Sequence, residues 1–445
     1  MRLGQALATV TDEVSTEQFQ DLRRHIDLEW IEQGLHATGT QSARHRRLPA
    51  LHVVWLIIGM ALFRARAITD LVSKLNLARP GKLFTVASSA ITKARKRLGA
   101  EPMEWLFVTL GDLWGHQSAA AHRWFGLALY GMDGSTLRIA DSKDNARHFG
   151  YSKSRRGQSA YPLMRMVALM ALRSHILVAA AFGPYEISEL AYAIDLWGAL
   201  PNHSLTVLDR CYISARILLG LSQHGENRHW LVRTKKNLRW RVLQRLGPKD
   251  CLVEMKVSKE AQKKDPELPK VWVARAITYQ RKGFRPQTLL TSLVDAKAYP
   301  AKEVATLYHL RWELEIGLNE VKTELLLQKE SLRSKCVVLV YQEMWGILLA
   351  YNLVRLEMER VAKEAKIEPT RISFIAMMRL MTDEWLWHAL AAPGAISQRL
   401  GHLRAAIYIL ILPPRRSKRR YPREVKIKMS NYKRKRRSPT RKRVK

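Results

Sequence analysis

Leu205-Thr206-Val207-Leu208-Asp209 is a run of apolar and β-branched residues closed by an acid. A short run of this kind suits a strand buried on both faces. Residues 188–200 and 213–223, on either side, read as helices, and residues 229–234 as the next strand. Towards the N-terminus, residues 126–133 and 136–140 read as two short strands separated by Gly134-Ser135. Residues 161–172 and 175–182 read as a hairpin turning near Arg173-Ser174. Strands, then helix, strand, helix, strand predict an α/β fold, a mixed sheet flanked by helices.

Outside this core the texture changes twice. Residues from about 12 to 120 read as helical, including 16–30 and the apolar run 51–63. Within them, Ser88 is a candidate N-cap for a short helix ending at Gly99 and carrying Lys93, Arg95, Lys96 and Arg97. A short basic helix after a loop suits a DNA groove, and it equally suits a solvated surface helix. Residues 236–300 read as a β-rich insertion with strands at 251–257, 271–279 and 288–294. Its loops are cationic: Lys235-Lys236-Asn237-Leu238-Arg239-Trp240-Arg241 and Arg281-Lys282-Gly283-Phe284-Arg285. Long helices are expected over 301–329, 337–363 and onward to 390.

Charge narrows the partners. The chain holds 75 Lys and Arg against 39 Asp and Glu, a net +36. An excess of that size repels itself unless a polyanion is the partner, here nucleic acid or an anionic membrane. Residues 413–445 hold 17 of the cations and one acid, Glu424, leaving +20 for the rest. That tail is expected to be disordered and to add non-specific phosphate contacts. Residues 51–63 fall short of the roughly 20 apolar residues a membrane span needs. Three scattered cysteines, Cys211, Cys251 and Cys336, give neither a disulfide framework nor a zinc site. A reducing cytoplasm, with no membrane role, is the simplest compartment.

Two acids end strand-like runs, Asp133 after Leu129-Tyr130-Gly131-Met132 and Asp209 after Leu205-Thr206-Val207-Leu208. A carboxylate among buried strands is costly unless paired or bound to metal, and ligands gather at strand ends in α/β sheets. An isolated Asp after a strand is more often a turn or N-cap residue. On a continuous helix from 301, Tyr308, Arg311, Glu315 and Lys322 would fall within a stripe about 60° wide, whereas Glu313 and Glu320 would lie about 120–140° away. A carboxylate between two cations and a phenol can hold metal and phosphate together; it can also be a solvated face with an Arg311–Glu315 pair. Three carboxylates on two strands and a helix could share two divalent ions for in-line displacement at phosphorus. Oxygen donors select Mg²⁺, or Mn²⁺, over zinc.

The spacing Tyr308-x₂-Arg311-x₃-Glu315-x₆-Lys322 resembles the C-terminal signature of DDE transposases of the insertion-sequence-4 family. Gly131-Met132-Asp133-Gly134 and Leu208-Asp209-Arg210-x-Tyr212 resemble that family's first and second acid motifs. The likeness extends through Arg46-Arg47-Leu48-Pro49, Tyr161-Pro162, Leu332-Arg333-Ser334-Lys335 and Trp345 to Arg355. It implies an RNase H-like catalytic core over 123–336, interrupted by the β insertion. It also implies an N-terminal helical DNA-binding domain over 1–122 and a C-terminal helical dimerisation region over 337–412. Asp133, Asp209 and Glu315 would be catalytic metal ligands. Tyr308, Arg311, Lys322 and Arg210 would contact DNA, as would Lys93, Arg95, Lys96 and Arg97 of the basic helix. The implied activity is cut-and-paste transposition by a homodimer in a synaptic complex on double-stranded DNA, at terminal inverted repeats and a target site, in a prokaryotic cytoplasm at the nucleoid.

Two positions depart from the family pattern. Cys211 stands where Gly or Ala often follows the basic residue of the second motif. Gln287 aligns where some relatives carry a base-stacking Trp, for which Trp240 or Trp272 could substitute. A DNA-binding protein without catalysis, or a nuclease that hydrolyses without joining, would use the same basic surface and acids.

Overall fold

The computed structural model describes residues 26–42, 48–75, 77, 86–154, 157–235, 237–281, 285–327, 331–388 and 410–413. The basic stretch 414–445 and the first half of the helix read at 16–30 lie outside the described residues.

The N-terminal part is helical: α1 (Leu28–Ala37), α2 (Ala50–Leu62), α3 (Ile68–Lys74), α4 (Ser88–Leu98) and α5 (Glu101–Ala121). In α2 the residues from Val53 to Leu62 are all buried, which explains its lack of a polar face. α4 is capped by Ala87 rather than Ser88, with no side-chain cap bond. α5 leads into the core: β1 (Ala128–Arg138), α6 (Lys143–Phe149), the ribbon β2 (Lys153–Ser154) and β3 (Gly157–Gln158), β4 (Leu163–Ala171), β5 (Leu177–Pro184), α7 (Glu189–Ile194), β6 (Ser204–Leu208), α8 (Ala215–Gln223) and β7 (Arg228–Arg233). The two runs expected around Gly134-Ser135 are one continuous strand, because β4 pairs through both residues (Gly134↔Val167, Ser135↔Met166). Asp133 therefore lies within β1 rather than at its end.

The stretch expected to be a β-rich insertion forms β8 (Arg241–Gly247), β9 (Asp250–Lys256), α9 (Lys259–Lys264), β10 (Val271–Tyr279) and β11 (Gln287–Thr291). β8, a strand that the sequence reading missed, has no buried face, and Val242 and Leu243 are exposed. These strands continue the core sheet, in the order β5-β4-β1-β6-β7-β11-β10-β9-β8. β6 is parallel to both β1 and β7, and the remaining pairs are antiparallel, so the sheet is mixed, as expected. Trp272 is buried against Trp230 and offers no free face for a base.

The helix expected over 301–329 is broken into α10 (Ala301–Leu307), a 3-10 turn (Tyr308–Leu310), α11 (Arg311–Glu320) and a π turn (Val321–Leu325). α12 (Val337–Glu364) and α13 (Phe374–His388) follow. By length and composition α12 could cross a membrane, but 83% of its most apolar window is buried inside this chain. It packs against α2 and α5 on one side and α13 on another.

Apolar residues cover both faces of the sheet. Leu129, Leu205 and Val207 face the helices α11 and α12, and Tyr130, Met132 and Leu208 face α7 and α8. This alternation decides which face each acid uses.

Candidate active site

β1 and β6 run parallel in register from Ala128↔Ser204 to Met132↔Leu208. The next residue on each strand is an aspartate, so Asp133 and Asp209 stand side by side where β6 ends. Alternation puts both on the face covered by α11. Gly131 brings that helix close: a Cβ at position 131 would lie 2.3 Å from Leu314 Cδ2.

Asp133 resists ionisation. Burial pushes its pKa up to about 6, Glu189 and Asp209 add to the rise, and the bond from Gly134 N to Oδ1 and the Arg311 charge only partly offset it. Arg311 faces the pair from the first turn of α11 and bonds Glu315 at 2.8 Å. Burial opposes its charge, but Glu315, Tyr308 and Asp209 outweigh that and raise its pKa. The structure thus gathers Asp133, Asp209 and Arg311, with Glu315 held by the arginine. Among the described residues no three His, Cys, Asp or Glu side chains form a ready metal cage. The Glu315 side chain is 41% exposed and that of Arg311 15%, so the pair opens to water on the Glu315 side.

The remaining signature residues lie close by. Tyr308 is buried, and its hydroxyl has no hydrogen-bond partner among the described residues. Burial raises its pKa and Asp209 adds to the rise, while the Arg311 and Arg233 charges oppose it. An orphaned buried hydroxyl costs about 1–3 kcal/mol, a cost that a bound phosphate oxygen would remove. Lys322 rides on the π turn, where desolvation and the like charge of Arg138 lower its pKa. Single π turns inside helices are frequent at functional sites. Arg210 is exposed on the turn after Asp209.

The basic helix α4 divides. Lys93, Lys96 and Arg97 are exposed, although Arg97 also donates to Leu48 O at 3.1 Å. Arg95 is a correction to the expected DNA contacts: it is buried, donating to Gln342 Oε1 at 2.9 Å, Ser334 Oγ at 3.0 Å and Leu339 O at 3.3 Å. It fastens α4 to α12.

Two features escape the sequence reading. On the buried side of α11, His175 Nε2 donates to Glu313 Oε2 at 3.1 Å, and Arg355 of α12 pairs with Glu320. Arg355 Nη2 also donates to His175 Nδ1 at 2.7 Å, and Tyr351 Oη donates to Glu320 Oε2 at 3.0 Å. A signal for them exists: two acids pointing away from the polar stripe require buried partners. The second is Glu189, whose sequence reads as an ordinary first-turn acid.

Comparison with known proteins gives this geometry its context. Residues 16–108 match the family described as insertion element 4 transposase N-terminal, and residues 127–353 match the transposase DDE domain. The chain is 37% identical over 439 residues to the transposase InsG for insertion sequence element IS4 of Escherichia coli K12, covering 97% of this chain and 98% of that one. This chain belongs to the insertion-sequence-4 family of DDE transposases. It is an enzyme of DNA strand cleavage and transfer, and its domain type implies dependence on a divalent metal. The putative transposase InsZ of the same strain is 38% identical over 217 residues, covering 48% of this chain and 71% of that protein. A solved piggyBac transposase synaptic complex with hairpin DNA aligns with 90% of this transposase and 86% of that chain, at TM-score 0.42 and 11% identity.

Proposed function

We propose that this transposase excises and inserts its element by a cut-and-paste route at one acidic centre, with Asp133, Asp209 and Glu315 as the metal ligands. The observation that carries the reading is the adjacency of Asp133 and Asp209 on β1 and β6, faced by Arg311 and Glu315. The donor set fits hard divalent ions: all three groups are carboxylates, and Asp133 is crowded by other acids without a full counter-charge. Two Mg²⁺ ions, or Mn²⁺ in their place, would supply charge to activate the attacking oxygen and stabilise the leaving one.

The chain's own residues do the rest. Glu315, paired with Arg311 in the metal-free site, would serve as the third metal ligand, and the guanidinium would then be available to phosphate. Tyr308 offers its unpartnered hydroxyl to the same backbone, with Lys322 and Arg210 adding charge. Lys93, Lys96 and Arg97 on α4 contact terminal inverted repeats from a helical DNA-binding domain over 1–122. The core over 123–336, with its insertion, is RNase H-like, and residues 337–412 assemble a homodimer holding two ends in a synaptic complex. The steps are 3′-end nicking, hairpin formation and opening, and strand transfer into target DNA, at the nucleoid of a bacterial cytoplasm.

Glu315→Gln tests this reading. It is expected to abolish cleavage of terminal-repeat DNA in Mg²⁺ while leaving gel-shift affinity within about twofold, since one uncharged isostere on an exposed face disturbs few contacts. Equal cleavage by the variant and the wild type would remove Glu315 from the site. Joined products separate transposition from simple hydrolysis.

A further inference from the structure

The acid site has a neighbour on the opposite face of the sheet. Glu189, in the first turn of α7, accepts from Tyr212 Oη at 2.8 Å and from the Cys211 thiol at 3.6 Å. Both donors belong to the 3-10 turn Arg210–Tyr212 that Asp209 caps, so Glu189 holds the turn through which Asp209 leaves β6. Tyr212 is fully buried, which makes it a fixed post rather than a surface contact. The same carboxyl lies over Gly134, the residue after Asp133. A Cβ at position 134 would stand 2.3 Å from Glu189 Cδ and 2.6 Å from its Oε1. The glycine therefore leaves room on that face of β1 for a carboxylate to lie against the backbone next to Asp133.

We propose that Glu189 is a positioning residue of the catalytic centre, fixing the Asp209 turn through Tyr212 and placing its charge on the far face of β1 over Gly134, next to Asp133. The inference rests on the reading of Asp133 and Asp209 as metal ligands. It assigns the Gly after the first acid a definite task, room for a carboxylate, and the Tyr three residues after the second acid another, a donor to that carboxylate. Groups supporting a ligand set in this way typically change metal affinity about 10–100-fold when removed.

The test uses the full chain and Mn²⁺ as the probe, with affinity read by calorimetry without DNA. Glu189→Gln keeps the shape and an acceptor for Tyr212 but removes the charge. It is expected to weaken Mn²⁺ binding by about tenfold, to recover cleavage when Mn²⁺ is raised by a similar factor, and to bind DNA normally without metal. Tyr212→Phe keeps the charge and releases the turn that follows Asp209; it is expected to weaken Mn²⁺ binding less than Glu189→Gln and to cleave more slowly even at saturating metal. A purely structural role would lower the melting temperature without separating these two effects. Should Glu189→Gln not fold, Glu189→Asp withdraws the charge by one methylene and is expected to weaken Mn²⁺ binding in the same direction. Wild-type Mn²⁺ affinity and cleavage in whichever variant folds would overturn the assignment. Asp133→Asn distinguishes the two levels: cleavage by that variant removes the ligand reading itself, whereas an inactive Asp133→Asn beside a wild-type-like Glu189→Gln removes only the role of Glu189.

Discussion

Asp133 is an acid whose surroundings oppose its charge, and the sign of that opposition can be measured. Its folded pKa stands at about 6, above the ordinary aspartate value of 3.8. A group raised in this way supports folding fully below its unfolded pKa and loses that support as pH rises through 6. Two pH units correspond to at most about 3 kcal/mol. Metal-free Asp133→Asn is therefore expected to melt above wild type at pH 8, with the difference closing by pH 4. Mn²⁺ should stabilise wild type at pH 8 and leave the variant nearly unmoved; a pH-independent difference would deny the strain. Tyr308 gives a second test, because its buried hydroxyl has no partner among the described residues. Tyr308→Phe is expected to keep or raise the melting temperature by removing an unsatisfied group, while cleavage falls. At this scale the sequence nominates the acids and the polar stripe, and the structure brings Asp133, Asp209, Arg311 and Glu315 together, but the direction in which a cation points is not legible. Arg95 looks like its basic neighbours and is buried against α12.

The helix bearing Glu315 shows what periodicity can and cannot supply. Counting about 100° per residue separates Glu315 from Glu313 and Glu320, and that separation survives as an exposed and a buried side of α11. The count assumes one continuous helix. The 3-10 turn at Tyr308 and the π turn carrying Lys322 redirect both residues, and such changes of winding come from packing that a local pattern does not encode. Strand β1 is hidden for a related reason: Gly134-Ser135 has turn composition, but pairing with β4 carries the strand through it. On the buried side, Arg355 cannot accept a bond, so His175 uses Nδ1 as acceptor and Nε2–H as donor to Glu313. Removing the arginine would leave Glu320 without a counter-charge, held by the Tyr351 hydroxyl, and would take the donor from His175 Nδ1. Arg355→Met is expected to cost about 3–5 kcal/mol in urea unfolding, more than any exposed substitution on the Glu315 side. A cost below about 1 kcal/mol would mean that water replaces the guanidinium, as at an exposed pair.

For the molecule as a whole, the layers are legible in the sequence and the connections much less so. The α/β core with helices on either side follows from alternating runs, but the insertion reads as a separate texture and is the continuation of one sheet through β7 and β11. Nor does the sequence reveal that α12 joins the N-terminal helices to the core. Arg64 of the N-terminal region pairs with Glu343 of α12, both buried, and Glu343 also takes the hydroxyl and backbone N–H of Ser334. With Arg95 on Gln342, these bonds tie the N-terminal helices into the core, so a probe in either part should report one unfolding transition. The cations are distributed differently: 17 of 75 lie in residues 413–445 with a single acid. Each phosphate a protein neutralises steepens the logarithmic salt dependence of binding by about 0.9. Deleting residues 413–445 is therefore expected to weaken DNA binding at low salt and to flatten the slope by about 0.9 for each phosphate no longer neutralised. The weakening should be similar on terminal-repeat and unrelated DNA, because phosphate contacts position a protein without reading sequence. An unchanged slope would show that these cations do not touch the DNA, and a weakening confined to the terminal repeats would mean that the segment reads bases.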